Sequence, residues 1–144
     1  MKKRTFAMIK PDAVACHYTG QIITLIEKAG FRIIAQKMLR LTTSDTNKFY
    51  AVHSQRPFFR NLSLFMTSGP VVVMVLEKEN AIAEFRTLIG NTDPQAAPTG
   101  SIRKIFGQSK TRNAIHGSDS DENALREIHF FLTSSTCHPK IIFK

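Results

Sequence analysis

The residues best equipped for chemistry are concentrated in one stretch, Asn113-Ala114-Ile115-His116-Gly117-Ser118-Asp119-Ser120-Asp121-Glu122. A histidine is followed by a glycine, where the backbone can turn sharply. Ser118, Asp119 and Ser120 come next, and any of them can cap a helix whose first turn is acidic. The pattern predicts His116 in a loop beside a helix start. An imidazole, with a reference pKa of about 6.5, is largely neutral near pH 7, so a ring nitrogen can attack an electrophile without first losing a proton. A serine would need a base. By itself a single histidine in a turn is more often an ordinary surface residue, so its surroundings must decide.

The composition narrows those surroundings. A chain of 144 residues is the size of one ordinary domain and can bury most of the surface its unfolded form exposes, so residues 1–144 are read as one domain with one core. Hydrophobic residues make up 42% of the chain but are dispersed, and no apolar run reaches the roughly 18 residues of a membrane span. Lys2-Lys3-Arg4 leads into a strand-like segment, not into a secretory apolar region. Membrane and secreted classes are set aside, and a soluble, cytoplasmic protein is expected. The two cysteines, Cys16 and Cys137, are too few for a disulfide framework and suit a reducing compartment. Each precedes a histidine, His17 and His138, but neither pair has the spacing that usually brings ligands together on zinc, so no protein-held metal is expected. The net charge of +9, from 20 basic and 11 acidic residues, favours polyanionic partners, nucleotides or nucleic acid, without choosing between them.

The elements that would position His116 follow from periodicity. Residues 5–9 are a short apolar run ending at Lys10-Pro11-Asp12, which predicts a buried strand with Lys10 at its end. Ile22, Leu25, Ile26 and Ala29 recur at helical spacing before Gly30. Residues 31–41 then alternate as a second strand, with Phe31, Ile33, Ala35, Leu39 and Leu41 on one side and Lys37 as the exception. Helix starts are predicted at Thr43-Ser44-Asp45 and at Arg56-Pro57, the second placing Phe58, Leu62 and Met66 on one face. Residues 71–76 are continuously apolar, which predicts a strand covered on both sides, by helices on one and by a second subunit on the other. A helix is expected over residues 80–89, and irregular chain over residues 95–115. After His116 come the capped helix and a last strand over residues 127–132. The order β-α-β-α-α-β-α-loop-α-β matches an α+β, ferredoxin-like βαββαβ sandwich, a four-stranded antiparallel sheet with additional helices, its helices on one face.

Fold alone does not assign function. Phosphoryl transfer needs lysine, arginine and a magnesium ion to position and neutralise phosphates. The chain has no G-x-x-x-x-G-K-[ST] loop and no kinase H-R-D or D-F-G triplet, so any such cradle must be built from dispersed side chains.

Asn113-x-x-His116-Gly117-Ser118-Asp119-Ser120 resembles the active-site signature of the nucleoside diphosphate kinases. Further blocks agree across residues 4–132: Lys10-Pro11-Asp12, Tyr50 with Arg56-Pro57-Phe58-Phe59, Ser68-Gly69-Pro70, Arg86, residues 90–94 and Gly100-x-Ile102-Arg103. The resemblance implies transfer of the γ-phosphoryl group of ATP, or another nucleoside triphosphate, to nucleoside and deoxynucleoside diphosphates. It implies a ping-pong cycle through phosphohistidine at His116, with Mg2+ carried mainly by the nucleotide phosphates. Lys10 would meet the phosphates; Arg86, Thr92 and Arg103 would hold them; Asn113 would contact the sugar and phosphate region; Tyr50 would lie close to the histidine. Glu127, otherwise read as a surface strand residue, would accept a hydrogen bond from His116, with Ser118 supporting that contact. Phe58 and Leu62 would clamp the nucleobase, an aromatic face and an aliphatic edge that every base can use. The family also implies a homo-oligomer, tetramer or hexamer.

Two positions depart from the family pattern. Lys110 stands where a small aliphatic residue is common against the base, and Lys104-Ile105-Phe106 follows Arg103 where an acidic residue is common. Both add positive charge near the expected entrance. A regulatory relative without catalysis is a further alternative, opposed by the presence of His116 and every matched phosphate residue. The strongest competing class is a basic ferredoxin-like domain that binds RNA or DNA through phosphate contacts. The aromatic-rich strand of an RRM is absent, which leaves nucleic acid as a secondary partner.

Overall fold

The computed structural model describes residues 2–51 and 55–133. The chain opens with strand β1 (Lys2–Ile9), whose second half is fully buried. Pro11 keeps Lys10 extended, at φ −81° and ψ 163°, and starts a short helix α1 (Pro11–Ala15) that periodicity did not signal. Helix α2 (Thr19–Lys28) buries Ile22 and Ile26. Strand β2 (Arg32–Leu39) leads to α3 (Thr43–Phe49), which is entered through a capping box between Thr42 and Asp45. Helix α4 (Phe59–Met66), strand β3 (Val71–Glu79) and helix α5 (Ala81–Ile89) follow. A single 3-10 turn (Pro94–Ala96) and a short helix α6 (Ile102–Phe106) give partial order to the stretch expected to be irregular. The chain then forms strand β4 (Ile115–Gly117) and helix α7 (Asp121–Thr133).

The sheet order is β2-β3-β1-β4, with every neighbouring pair antiparallel, so the α+β, ferredoxin-like expectation holds. Three expectations are corrected. His116 lies in β4 and not in a loop, opposite Met8 of β1. Residues 127–132 belong to α7, not to a strand. Ala124, Glu127 and Phe131 are buried and Ile128 partly so, the i, i+3, i+4, i+7 period of one helical face, and a short apolar run cannot by itself separate that from a strand. Finally, helices cover both faces of the sheet, not one.

That third correction follows from the alternation of the strands. Ala7 and Ile9 of β1, with Val72, Met74 and Leu76 of β3, join a core with α2 and α5. Phe6 and Met8, with Val71 and Val73, join a second core with α3, α4 and Phe131 of α7. The apolar run of β3 is therefore covered on both sides within one chain, and no subunit contact is needed to explain it. In β2 the pairing register shifts between Ile33 and Ala35. Such a bulge reverses the parity of the strand, so Phe31 and Ile33 reach the first core and Leu39 and Leu41 the second, although they alternate unbroken in sequence. Lys37, the exception in that pattern, donates from Nζ to the carbonyl of Phe131 at 3.0 Å. Among the described residues, no helix is long and apolar enough to cross a membrane. Cys137 and His138 lie outside the described residues.

Candidate active site

Strand alternation aims the histidine. Ile115 and Gly117 face α5, so His116 between them projects to the opposite side, toward α3 and α7. Gly117 is required there, because a Cβ on it would lie 2.8 Å from Phe85 Cδ2. The imidazole packs against Phe49, edge to face at 5.4 Å, and against Phe6 at 6.0 Å. Its Nε2 lies 3.0 Å from Oε1 of Glu127, on the buried face of α7. Ser118 Oγ donates to the same carboxylate oxygen at 2.7 Å and accepts from the backbone N–H of Phe6 at 3.3 Å. The other carboxylate oxygen lies 3.6 Å from Nη2 of Arg126. A carboxylate facing Nε2 holds the ring proton there, which leaves the lone pair on Nδ1.

A cationic end of the same cleft is built from the termini of several elements. Lys10, just past β1, is 8% exposed and donates from Nζ to Oδ1 of Asn113 at 2.7 Å. Asn113 Nδ2 donates to the carbonyl of Thr92 at 3.0 Å. Thr92 sits in a turn opened by Gly90 at φ +85°, where a Cβ would lie 2.6 Å from Ser101 Oγ. Arg103 of α6 ties that turn to β4, donating from Nη1 to the Gly90 carbonyl at 3.0 Å and from Nη2 to the Ile115 carbonyl at 2.9 Å. Burial, with Arg103 nearby, pushes the Lys10 ammonium down to about 8, partly opposed by Asp12. Burial, with Arg86 nearby, lowers the Arg103 guanidinium to about 10. Concentrated, partly desolvated positive charge of this kind is stabilised by an incoming polyanion.

The remaining wall is less charged. Phe58 is 48% exposed, and the Arg56 guanidinium carbon lies 6.0 Å from its ring centroid; Leu62 and Lys110 line the cleft with it. Tyr50 is buried, and its hydroxyl has no hydrogen-bond partner among the described residues. Burial and then the Glu127 carboxylate push that phenol above its ordinary range, so it remains a proton donor.

One cleft of about 360 Å³ is lined by His116, Lys10, Tyr50, Phe58, Leu62, Arg86, Thr92, Arg103, Asn113 and Glu127, with Ser118 buried behind the histidine. These positions, singled out in the sequence, thus converge in space. Glu127 arrives from a helix instead of the expected strand. Phe6, Phe49, Arg126 and Asn123 also touch the site and carried no sequence signal, whereas Asp119, which lines the cleft with them, belongs to the signature that contains His116. A larger cleft of about 540 Å³, beside α1 and containing Cys16, Arg40 and Arg112, has no histidine paired with a carboxylate, so size alone does not mark the site.

A ferredoxin-like sheet whose edge strand offers a carboxylate-held imidazole to a cation-lined, aromatic-walled cleft defines a transferase for groups carried on aromatic polyanions. Known proteins make the class specific. The family model for nucleoside diphosphate kinase matches residues 3–137. A nucleoside diphosphate kinase of Prosthecochloris aestuarii is 54% identical over 132 residues, 92% of this chain and 94% of that protein. The nucleoside diphosphate kinase of Aquifex aeolicus superposes with a TM-score of 0.90 at 45% identity, covering 94% of this chain and 98% of that one. That of Halobacterium salinarum, solved in complex with CDP, gives 0.89 at 39% identity, covering 93% and 90%. The chain belongs to the nucleoside diphosphate kinase family. Its activity is that family's phosphotransfer between nucleotides.

Proposed function

We propose that His116 is the nucleophile, and that Nδ1 is the atom that carries the phosphoryl group between substrates. The observation that carries this reading is the 3.0 Å contact of Nε2 with Glu127, which directs the free lone pair to Nδ1 beside a cationic cleft. In the first half-reaction Nδ1 attacks the γ-phosphorus of a nucleoside triphosphate, the bond from that phosphorus to the β-γ bridging oxygen breaks, and the diphosphate leaves. In the second, a terminal oxygen of an incoming nucleoside or deoxynucleoside diphosphate attacks the same phosphorus, the P–N bond breaks and the imidazole is restored. Glu127 stabilises the positive charge on the ring while the phosphoryl group is attached, and Ser118 holds that carboxylate in place.

Lys10, Arg86 and Arg103 supply charge to the phosphate oxygens. Asn113 and Thr92 orient the chain of phosphates and the sugar, and the Tyr50 hydroxyl donates near the reacting histidine. Phe58 and Leu62 stack the base. The cleft contains two kinds of carboxylate. Glu127 is committed to His116 and Ser118, whereas Asp119 bonds Asn123 Nδ2 at 2.6 Å and is held below the usual carboxylate range, which fits a phosphate-borne cation nearby. Mg2+ bound to the nucleotide would neutralise β- and γ-phosphate charge. Among the described residues no cluster of three potential metal ligands exists.

The test is intact mass after brief exposure to Mg-ATP. A gain of one phosphoryl group, suppressed by EDTA and discharged by GDP with formation of GTP, is expected; no gain by folded protein overturns the reading. A pH dependence follows. Because phosphate binding needs Lys10 as a cation, kcat/KM is expected to fall on the alkaline side near pH 8, with the kcat limb higher because bound phosphates favour the charged amine. Stability of the nucleotide-free protein has the opposite sign. The folded chain releases the Lys10 proton at about 8 and the unfolded chain at about 10.5, so this residue contributes increasing stability as pH rises between them. Thermal unfolding of wild type and Lys10→Met across that window checks it.

The whole chain, residues 1–144, is read as one such domain, acting in a cytoplasm where the exposed Cys16 stays a thiol. A homo-oligomer, tetramer or hexamer, is supported by β2. It is an edge strand, and it leaves Ile34 38% and Met38 46% exposed. Light scattering should give a multiple of the 16.2 kDa chain mass; a monomer at micromolar concentration would remove this part of the proposal. Nucleic acid remains a secondary partner suited to the net charge of +9, and salt should strip it without stopping transfer.

A further inference from the structure

Asp12 has no part in the roles above, yet it touches the site from behind. It lies in the first turn of α1, 6% exposed. Its Oδ2 accepts from the backbone N–H of Ala114 at 3.1 Å. The Ala114 carbonyl accepts in turn from the backbone N–H of Lys10 at 2.9 Å. Both backbone polar groups of Ala114 are thus held by one short segment at the end of β1.

Ala114 needs holding. Its φ is +76°, the left-handed region that an alanine occupies only when its surroundings impose it. It stands between Asn113, which bridges Lys10 and Thr92, and Ile115-His116, which begin β4. A relaxed turn at Ala114 would rotate the Asn113 amide away from Lys10 and shift the start of the strand that aims His116.

We propose that Asp12 is a positioning residue of the transfer reaction, fixing the left-handed turn at Ala114 that places Asn113 and His116. The inference rests on the reading of His116 as the nucleophile.

Asp12→Asn and Asp12→Ala test it. Asparagine retains an oxygen for the Ala114 N–H; alanine does not. At the pH optimum kcat is expected to be about tenfold lower in Asp12→Ala than in Asp12→Asn, because the turn is released. A residue that merely stabilised the fold would lower the melting temperature of the two variants without separating their kcat well below it. Equal kcat in the two folded variants overturns the proposal. If Asp12→Ala does not fold, Asp12→Leu, which has the shape of aspartate without its oxygens, takes its place under the same criterion. The phosphoryl mass gain of wild type tests the phosphohistidine reading independently, so the two fail separately.

Discussion

Replacing His116 with alanine is expected to reduce steady-state phosphoryl transfer by at least about 10⁴-fold, because the nucleophile is removed and the site holds no substitute in the same position. Ser118, the nearest hydroxyl in sequence, is buried and donates to Glu127, so it is neither free nor directed at the cleft. Nucleotide affinity should change much less. The residues proposed to hold phosphate and base, Lys10, Arg103, Asn113, Phe58 and Leu62, take their positions from β1, α6, the turn before β4 and the region of α4, none of which depends on the imidazole for a hydrogen bond. The variant should therefore bind a diphosphate within about tenfold of wild type while gaining no phosphoryl mass from Mg-ATP. Substantial turnover by His116→Ala would require a different nucleophile.

Arg103→Ala is expected to lower kcat/KM by about 10²–10³-fold and also to destabilise the fold. The guanidinium has two separable contributions. Its charge, 8% exposed beside Lys10 and Arg86, is available to phosphate oxygens that gain charge during transfer. Its fork joins the Gly90 carbonyl to the Ile115 carbonyl, locking the turn that contains Thr92 to the strand that contains His116. Two carbonyls would lose donors, at about 1–3 kcal/mol for each that is left buried and unpaired. Arg103→Lys retains the charge but cannot bridge both carbonyls in the same plane, so it should recover part of KM and little of kcat. Steady-state kinetics together with urea unfolding of both variants tests this. Activity of Arg103→Ala within about fivefold of wild type would show that the arginine is structural only.

Much of the site was readable in the chain because its signals are local. The glycine and cap residues that follow His116, the proline that ends β1 at Lys10, and the helical spacing of Phe58 and Leu62 are each set within a few residues of sequence. The family resemblance joined them into one reading. Local signals misled where a short apolar run fits two periods. Residues 127–132 look like a strand, yet Ala124, Glu127, Ile128 and Phe131 form a helical face, and burying Phe131 against Phe6 at 5.0 Å selects the helix. Similarly, β2 alternates without interruption in sequence, and only pairing with β3 reveals the bulge that sends its two halves to different cores.

The sequence by itself determined the reactive residue types, the α+β class and the segments that could carry them. Tertiary structure decided which of those residues meet. Lys10 and Asn113 are 103 residues apart, and the pairing of β1 with β4 brings the segments that carry them together. The same pairing puts His116 on the face that α7 covers, where Glu127 holds Nε2. The left-handed turn at Ala114 exists because Asp12 and Lys10 hold it from β1's end, against the preference of the alanine itself. Backbone preference is a property of a few neighbouring residues, whereas the register of a sheet is settled only when both cores are packed, so sequence could name the chemistry while its geometry had to await the fold.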